Sequence, residues 1–489
     1  MKRPSSRVVA FVVGLLAAVI PAWAYFGFTI DDALIPARYA HHVATGHGYR
    51  FNVDGPITDG VTPLGFVYLL VPFAKAGPLA ALAAARWGGL VTWLVAAGCL
   101  GVEVDRVGSS RWRFAGLALV LASAPLGAWA SAGLETPVAT SLVTLGLVLR
   151  SRERHYLGAV ALGLAALMRP EALPLALCLA FPAGPRVAPD EAAGSPTRKL
   201  GGAHFGRVAL AAAPFALAAV TRTWVFGRAA PLSVLAKPPH LAEGAVYALA
   251  CFLLTGPLSI AAPLAWRRLE AWPRWLVGAV LVHFAAIAGA GGDWMPLSRL
   301  VVPVLPVVVL ACAHVASVSG VPFTIGRLVL ALGGEVFAFS KKSVSGPRVM
   351  EDRLALIAEA RPVLARAKVV ATEDAGWVGA ATEATVVDLA GVTDPFVAAL
   401  PGSHTDKRIP DTFLDAHRVD VLVLQLKDDA DLATPWWTSK FARGVERYVA
   451  LGPGVGDSFE PVLVTTGRLK YVLCERVRAE VAAVPPHGD

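Results

Sequence analysis

A succession of long apolar runs constrains this chain more than any other feature. They occupy residues 8–26, 86–104, 114–131, 134–150, 156–169, 171–184, 206–226, 244–265, 273–290, 299–318 and 321–338. A helix that crosses the hydrocarbon core of a bilayer needs roughly 17 to 25 mostly apolar residues, so the pattern predicts a polytopic α-helical membrane protein with about 10 or 11 transmembrane helices. Runs 156–169 and 171–184 are short and flank Arg169-Pro170-Glu171, which makes them two short spans or one interrupted span. Composition agrees: 55% of the residues are hydrophobic and 16% are charged, where a soluble domain carries about 25% charged. The basic opening, Met1 to Arg7, followed by the run from Val8 to about Tyr25, predicts a signal anchor with a cytoplasmic N-terminus rather than a cleaved signal peptide.

Charge placement then orients the chain. The net charge of +8 is no nucleic-acid footprint, because Lys and Arg cluster in short segments between apolar runs, as in loops retained on the cytoplasmic side. Segment 63–79 is apolar but broken by Pro63, Pro72 and Pro78, which predicts a short helix lying in the interface. If it does not cross, the basic segments 105–113, 150–155, 186–207 and 266–274 all fall inside. The outside set becomes 27–85, 131–137, 169–171, 226–244 and 291–299, and it holds nearly every unusual polar residue. Gly184 to Gly202, rich in Pro, Gly, Ala and charge, is expected to be a cytoplasmic loop.

From about Lys341 the charge density becomes ordinary, and short β-branched runs alternate with helical segments, the pattern of a small α/β domain. The expected division is a transmembrane domain over 1–338 and a C-terminal α/β domain over 339–489. The second domain lies outside provided 321–338 crosses despite Arg327 and Glu335. Four of the five cysteines lie inside apolar runs and Cys474 stands alone, so neither a disulfide framework nor a zinc-ligand spacing is present.

The densest polar stretch follows the first run: Asp31-Asp32, Arg38, His41, His42 and His47. Adjacent carboxylates serve acid/base chemistry or metal binding, and they also cap helices. On a helix Asp31 and Arg38 share a face, since seven residues return to within about 20°, and Arg38 is a natural partner for phosphate or carboxylate. The histidines are ligands or, more in keeping with their spacing, interfacial and structural groups. Further polar islands sit at span ends: Glu135, suited also to capping; Arg169 with Glu171; Lys237; and Asp293-Trp294 with Arg299.

The order of these islands resembles the GT-C superfamily of bacterial membrane glycosyltransferases, within it the terminal-arabinofuranosyltransferase-like and polyprenyl-phosphate-mannosyltransferase-like proteins. The matching pieces are DDALIPARYAHHVATGHGYRFN (31–52), DGVTPL (59–64), SAGLETP (131–137), MRPEALP (168–174), FGRAAPLSVLAKP (226–238), GGDWMPLSRLVVPVLP (291–306) and DLAGVTDPFVA (388–398). The resemblance implies a GT-C-like fold at the cell membrane and an extracytoplasmic active site. It also implies a polyprenyl-phosphate-linked sugar as donor, a glycan, lipid or protein acceptor, and inversion at the anomeric carbon. By position it makes Asp31 the general base, with Asp32 as alternative or partner. Arg38, Lys237, Arg299 and Arg169 are then expected to bind the donor phosphate, and His47, Glu135, Asp293 and Trp294 the substrate. No cofactor is required, although an Asp pair can hold Mg²⁺ or Mn²⁺. The competing reading is a non-catalytic polyprenyl-lipid-binding or transport protein, but transporters keep ionisable groups near the midplane and here they gather at one membrane face.

Overall fold

The computed structural model describes residues 6–107, 114, 123–181, 202–237, 240–253, 255, 257–293, 295–320, 322–326, 329–330, 332–333, 346–427 and 431–477. Among these, five helices are long and apolar enough to cross a membrane: Ser6–Ala24, Pro78–Arg106, His204–Phe226, Ala271–Gly289 and Arg299–Val318. Several turn large apolar side chains outward, with Trp224 88% and Ile20 69% exposed. Water would penalise such a surface and lipid would not; the chain is an integral membrane protein, mostly helical, with a small C-terminal sheet.

Shorter apolar helices fill the spaces between these five. Thr136–Ser151 and His155–Met168 pack as an antiparallel pair, and a 3-10 turn at Pro170–Ala172 separates the second from Leu173–Ala180. Run 244–265, expected as one span, is two helices, Leu241–Leu253 and Pro257–Ala265, because Pro257 disfavours helix in the residue before it and suits a helix start. Segment 63–79 forms the helix Leu64–Leu70 and the 3-10 turn Val71–Phe73. Together they make one apolar stretch, Leu64–Phe73, about half the length that a spanning helix needs. The next helix begins at Pro78, eight residues earlier than its apolar run suggests, with Gly77 in the left-handed region ahead of it. Half of run 321–338, part of 114–131, and residues 184–201 of the expected loop lie outside the described residues.

The C-terminal sheet comprises β1 (Val369–Thr372), β2 (Thr385–Asp388), β3 (Val421–Gln425), β4 (Phe459–Val464) and β5 (Tyr471–Arg476). The order is β2-β1-β3-β5-β4, with β2, β1 and β3 parallel and β5 antiparallel to both β3 and β4. Side chains alternate between faces along a strand, and both faces are buried. Val370, Val386, Val423 and Leu473 join the large core that continues into the membrane helices, while Ala371, Val387, Leu422 and Cys474 join a second core beneath the domain's own helices. One apolar core therefore runs from the spans into the α/β domain, which fixes the domain against the first polar loop.

Candidate active site

The polar stretch after the first helix folds as a 3-10 turn, Asp31–Ala33, that runs into the helix Leu34–Ala44. Asp31 and Arg38 do share a face, and it is turned onto the C-terminal domain. The Asp31 carboxylate accepts 2.8 Å hydrogen bonds from the Arg353 guanidinium and from the backbone N–H groups of Gly376 and Trp377. Burial first, then the neighbouring Asp374, pushes Asp31 up to about 7 against the pull of Arg353. Arg38 donates to the carbonyls of Phe51 (2.7 Å), Gly379 (2.6 Å), Thr382 (2.8 Å) and Ala384 (2.9 Å). Asn52 adds a third tie, bonding both the N–H and the carbonyl of Val386 in β2 at 2.9 Å.

The fit is close. A Cβ on Gly376 would lie 2.2 Å from the Asp31 carbonyl oxygen, and one on Gly379 2.9 Å from Arg38 Cδ. The expected phosphate contact at Arg38 is thus replaced by an interdomain clamp, because the five N–H donors of its buried guanidinium face four carbonyls and the Asn52 side-chain oxygen (3.4 Å), which leaves none for a ligand. Asp31 likewise stands off the cavity described next, its oxygens engaged by the second domain.

Asp32, Ile35 and Pro36, one turn of the same helix rotated by one residue, line a cavity of about 1150 Å³ between the membrane helices and the C-terminal domain. The Asp32 side chain is 27% exposed there and lies 3.8 Å from Lys237 Nζ. Lys237 is placed by the short helix Leu232–Ala236. That helix is held by Leu232 N–H donating to the Asp59 carbonyl (3.1 Å), by a 3.0 Å bond between the Ser233 and Thr62 hydroxyls, and by packing of Leu232 and Ala236 on Ala398. The Asp59 side chain is buried and paired to Arg222 at 2.7 Å, which anchors the 59–62 turn.

The opposite wall carries two more ion-pair groups. Arg169 bridges Glu135 (2.8 Å) and Glu171 (2.7 Å), all three nearly buried. Arg299 pairs with Asp293 at 3.0 Å and lies over the Trp129 ring. The turn before Asp293 needs Gly291 and Gly292, both at positive φ, and Leu297 and Ser298 adopt left-handed conformations at φ 61° and 52° just before Arg299. The cations in the lining are Lys237, Arg169 and Arg299, and each is paired with at least one lining carboxylate. The three cations expected at the donor phosphate thus stand beside carboxylates of the same cavity.

Six residues expected from the sequence therefore meet in one cavity: Asp32, Glu135, Arg169, Lys237, Asp293 and Arg299. Asp31, Arg38 and His47 are not in its wall; His47 is exposed and packs edge-on against His42. His42 is buried and its Nδ1 lies 2.9 Å from the Arg50 carbonyl, so Nδ1 carries a proton and donates; burial pushes its pKa down to about 4, which keeps the ring neutral. Trp294 lies outside the described residues. Among the described residues no group of three or more His, Cys, Asp or Glu side chains is placed to hold a metal ion.

Sequence reasoning missed the C-terminal domain's share of the wall, Val392 and Ser403 to Asp406. Val392 follows β2, in a turn organised by Asp388, whose carboxylate accepts bonds from the N–H groups of Ala390, Gly391 and Thr393 and from the Thr393 hydroxyl. The DLAGVTDPF motif was visible, but its neighbour Ser403-His404-Thr405-Asp406 has no charge pattern or spacing that marks it.

Fold and cavity together define a helical membrane protein whose polar cavity is closed by a C-terminal α/β domain. A family model for a domain of unknown function (DUF8728) matches residues 350–461, inside that C-terminal domain. No curated protein matches the chain. Among solved structures, an oligosaccharyltransferase of Archaeoglobus fulgidus, crystallised with zinc and sulfate, is similar at 11% identity and a TM-score of 0.42, over 96% of this chain and 73% of that one. A likeness at that level leaves activity to be argued from this chain's own residues.

Proposed function

We propose that the protein is an inverting glycosyltransferase that moves a sugar from a polyprenyl-phosphate donor to an acceptor hydroxyl on the extracytoplasmic face of the cell membrane. The observation that carries this reading is the Asp32–Lys237 pair. A partly solvated carboxylate and an ammonium face each other at 3.8 Å, too long for a tight bond, at the rim of a large cavity between membrane helices and an aqueous domain.

The chemistry needs such a pair. An attacking alcohol must lose a proton, and the leaving polyprenyl phosphate gains negative charge as the bond from the anomeric carbon to phosphate oxygen breaks. Donor phosphate drawing Lys237, with Arg299, away from its carboxylate frees Asp32 to take the acceptor proton. The acceptor oxygen forms the new bond to the anomeric carbon from the opposite side, and the phosphate departs with the electron pair. Asp32 thus takes the role of base that the family resemblance gave by position to Asp31. Arg169, held between Glu135 and Glu171, stiffens the far wall.

A decaprenyl phosphate carrying a benzophenone next to its phosphate tests the donor half. With the full chain in nanodiscs, photolabel is expected within residues 232–247 and 289–300, and Lys237→Gln should lower it severalfold. Labelling spread over lipid-exposed faces such as 204–226, and unchanged by Lys237→Gln, would sink the reading.

A further inference from the structure

The cavity has two chemically different walls, and the second has no role in the proposed reaction so far. Among the described residues, Asp32 beside Lys237, Glu135 and Glu171 beside Arg169, and Asp293 beside Arg299 all stand on the membrane-helix side or the first loop. Besides Val392, the C-terminal domain contributes Ser403, His404, Thr405 and Asp406, four consecutive side chains that donate or accept hydrogen bonds, and no Lys or Arg.

This strip is built rigidly. Gly402, at φ 101°, leaves no room for a side chain because a Cβ would lie 2.2 Å from the Asp406 carbonyl oxygen. The Asp406 N–H donates to the Ser403 carbonyl (2.9 Å) and the Arg408 N–H to the Pro401 carbonyl (3.0 Å), closing the turn at both levels. The Thr405 carbonyl accepts from the Val445 N–H at 2.8 Å, tying the strip to the helix Gly444–Ala450. Lys407, only 1% exposed, points its ammonium inward to the carbonyls of Ala398 (2.9 Å) and Leu400 (2.8 Å). A buried lysine is a large desolvation cost for a surface loop, and here it holds the polar strip on the cavity side. The Ser403 and Thr405 hydroxyls lie 3.2 Å apart, and His404 lines the same cavity as Lys237 and Asp293.

From this we infer that Ser403, His404, Thr405 and Asp406 form the acceptor subsite and that the acceptor presents a hydroxyl-rich sugar end. The inference rests on the proposed transferase reading and deepens it. A sugar hydroxyl both donates and accepts, as do the Ser and Thr hydroxyls and a neutral imidazole, and the strip is built of polar side chains alone. Asp32 lines the same cavity as the strip, so an acceptor whose sugar end is held by the strip presents a hydroxyl to the base while the lipid phosphate meets Lys237 and Arg299.

The test uses the full chain in nanodiscs with octyl α-mannoside, octyl arabinofuranoside and octyl galactofuranoside as acceptor probes, and a Ser/Thr-containing peptide as contrast. Binding is followed by ligand-observed NMR, and benzophenone decaprenyl phosphate labelling is measured on the same samples. At least one glycoside is expected to bind, and the paired substitution Ser403→Ala with Thr405→Ala to weaken it about tenfold or more, the effect of two lost hydrogen bonds, with donor photolabelling unchanged. His404→Gln should weaken it less, because the amide keeps one donor and one acceptor. Glycoside binding that is absent or insensitive to these substitutions, or binding of the peptide alone, overturns the inference while intact donor labelling leaves the transferase reading standing. Loss of donor labelling in the unaltered protein strikes the transferase reading itself.

Discussion

Asp31 and Asp32 are adjacent in the chain and serve different bodies of the protein. The first accepts a 2.8 Å hydrogen bond from Arg353 of the C-terminal domain; the second lies 3.8 Å from Lys237 in the cavity. One residue of rotation on a 3-10 turn, about 120°, separates a docking contact from the proposed base. The domain interface and the cavity thereby share one short segment, and docking of the α/β domain sets where Asp32 points.

Arg38→Lys should destabilise docking rather than weaken donor binding. The planar fork reaches four carbonyls, and an ammonium cannot reproduce that spread. Truncation to Ala should cost about 3–5 kcal/mol, because it leaves buried carbonyls unpaired. Thermal unfolding and limited proteolysis between the domains read the loss. An unshifted Tm with a raised donor KM would instead return Arg38 to the phosphate site.

Gly376→Ala should loosen the same interface. Its new methyl group would fall 2.2 Å from the Asp31 carbonyl oxygen, within backbone that cannot yield without moving the 3-10 turn. A cost of about 1–3 kcal/mol is expected, with faster hydrogen exchange in the helix Ala375–Ala381. Unchanged exchange there would show that the two segments do not meet as described.

His42 gives the interface a pH dependence of known sign. Its folded pKa, about 4, is depressed below the ordinary value for histidine, so the unfolded chain binds more protons between about pH 4 and about pH 6.5. Its contribution to stability is present above that window and is lost as pH falls through it. In His42→Asn the amide nitrogen can still donate to the Arg50 carbonyl but does not titrate. The drop in Tm between about pH 7.5 and about pH 5 should therefore be smaller than in the unaltered protein; an equal drop would contradict the assignment.

Much of this arrangement was legible in the sequence, and the limits have physical causes. Apolar length located the spanning helices, and interruptions by proline marked the short Leu64–Leu70 helix. Polar islands at span ends proved to be the source of the cavity wall, since ionisable groups in such a chain are costly anywhere except where they meet one another. Which way Asp31 and Arg38 face was not legible, because their partners, Gly376 and Gly379, lie more than 300 residues away in sequence. The strip from Ser403 to Asp406 was invisible for a related reason: a loop joins a site through the docking of its whole domain, which leaves no local periodicity.

The most direct measurement compares Asp32→Asn with Asp31→Asn in single-turnover transfer from decaprenyl-phospho-arabinose and decaprenyl-phospho-mannose to endogenous acceptors in membranes. Removing a positioned general base costs about 10²- to 10⁴-fold. The account predicts that loss in Asp32→Asn with Tm unchanged. It predicts that Asp31→Asn lowers Tm while the correctly folded fraction still transfers. Full transfer by Asp32→Asn, or a folded Asp31→Asn protein that is alone inactive, would contradict the assignment of Asp32 as the base.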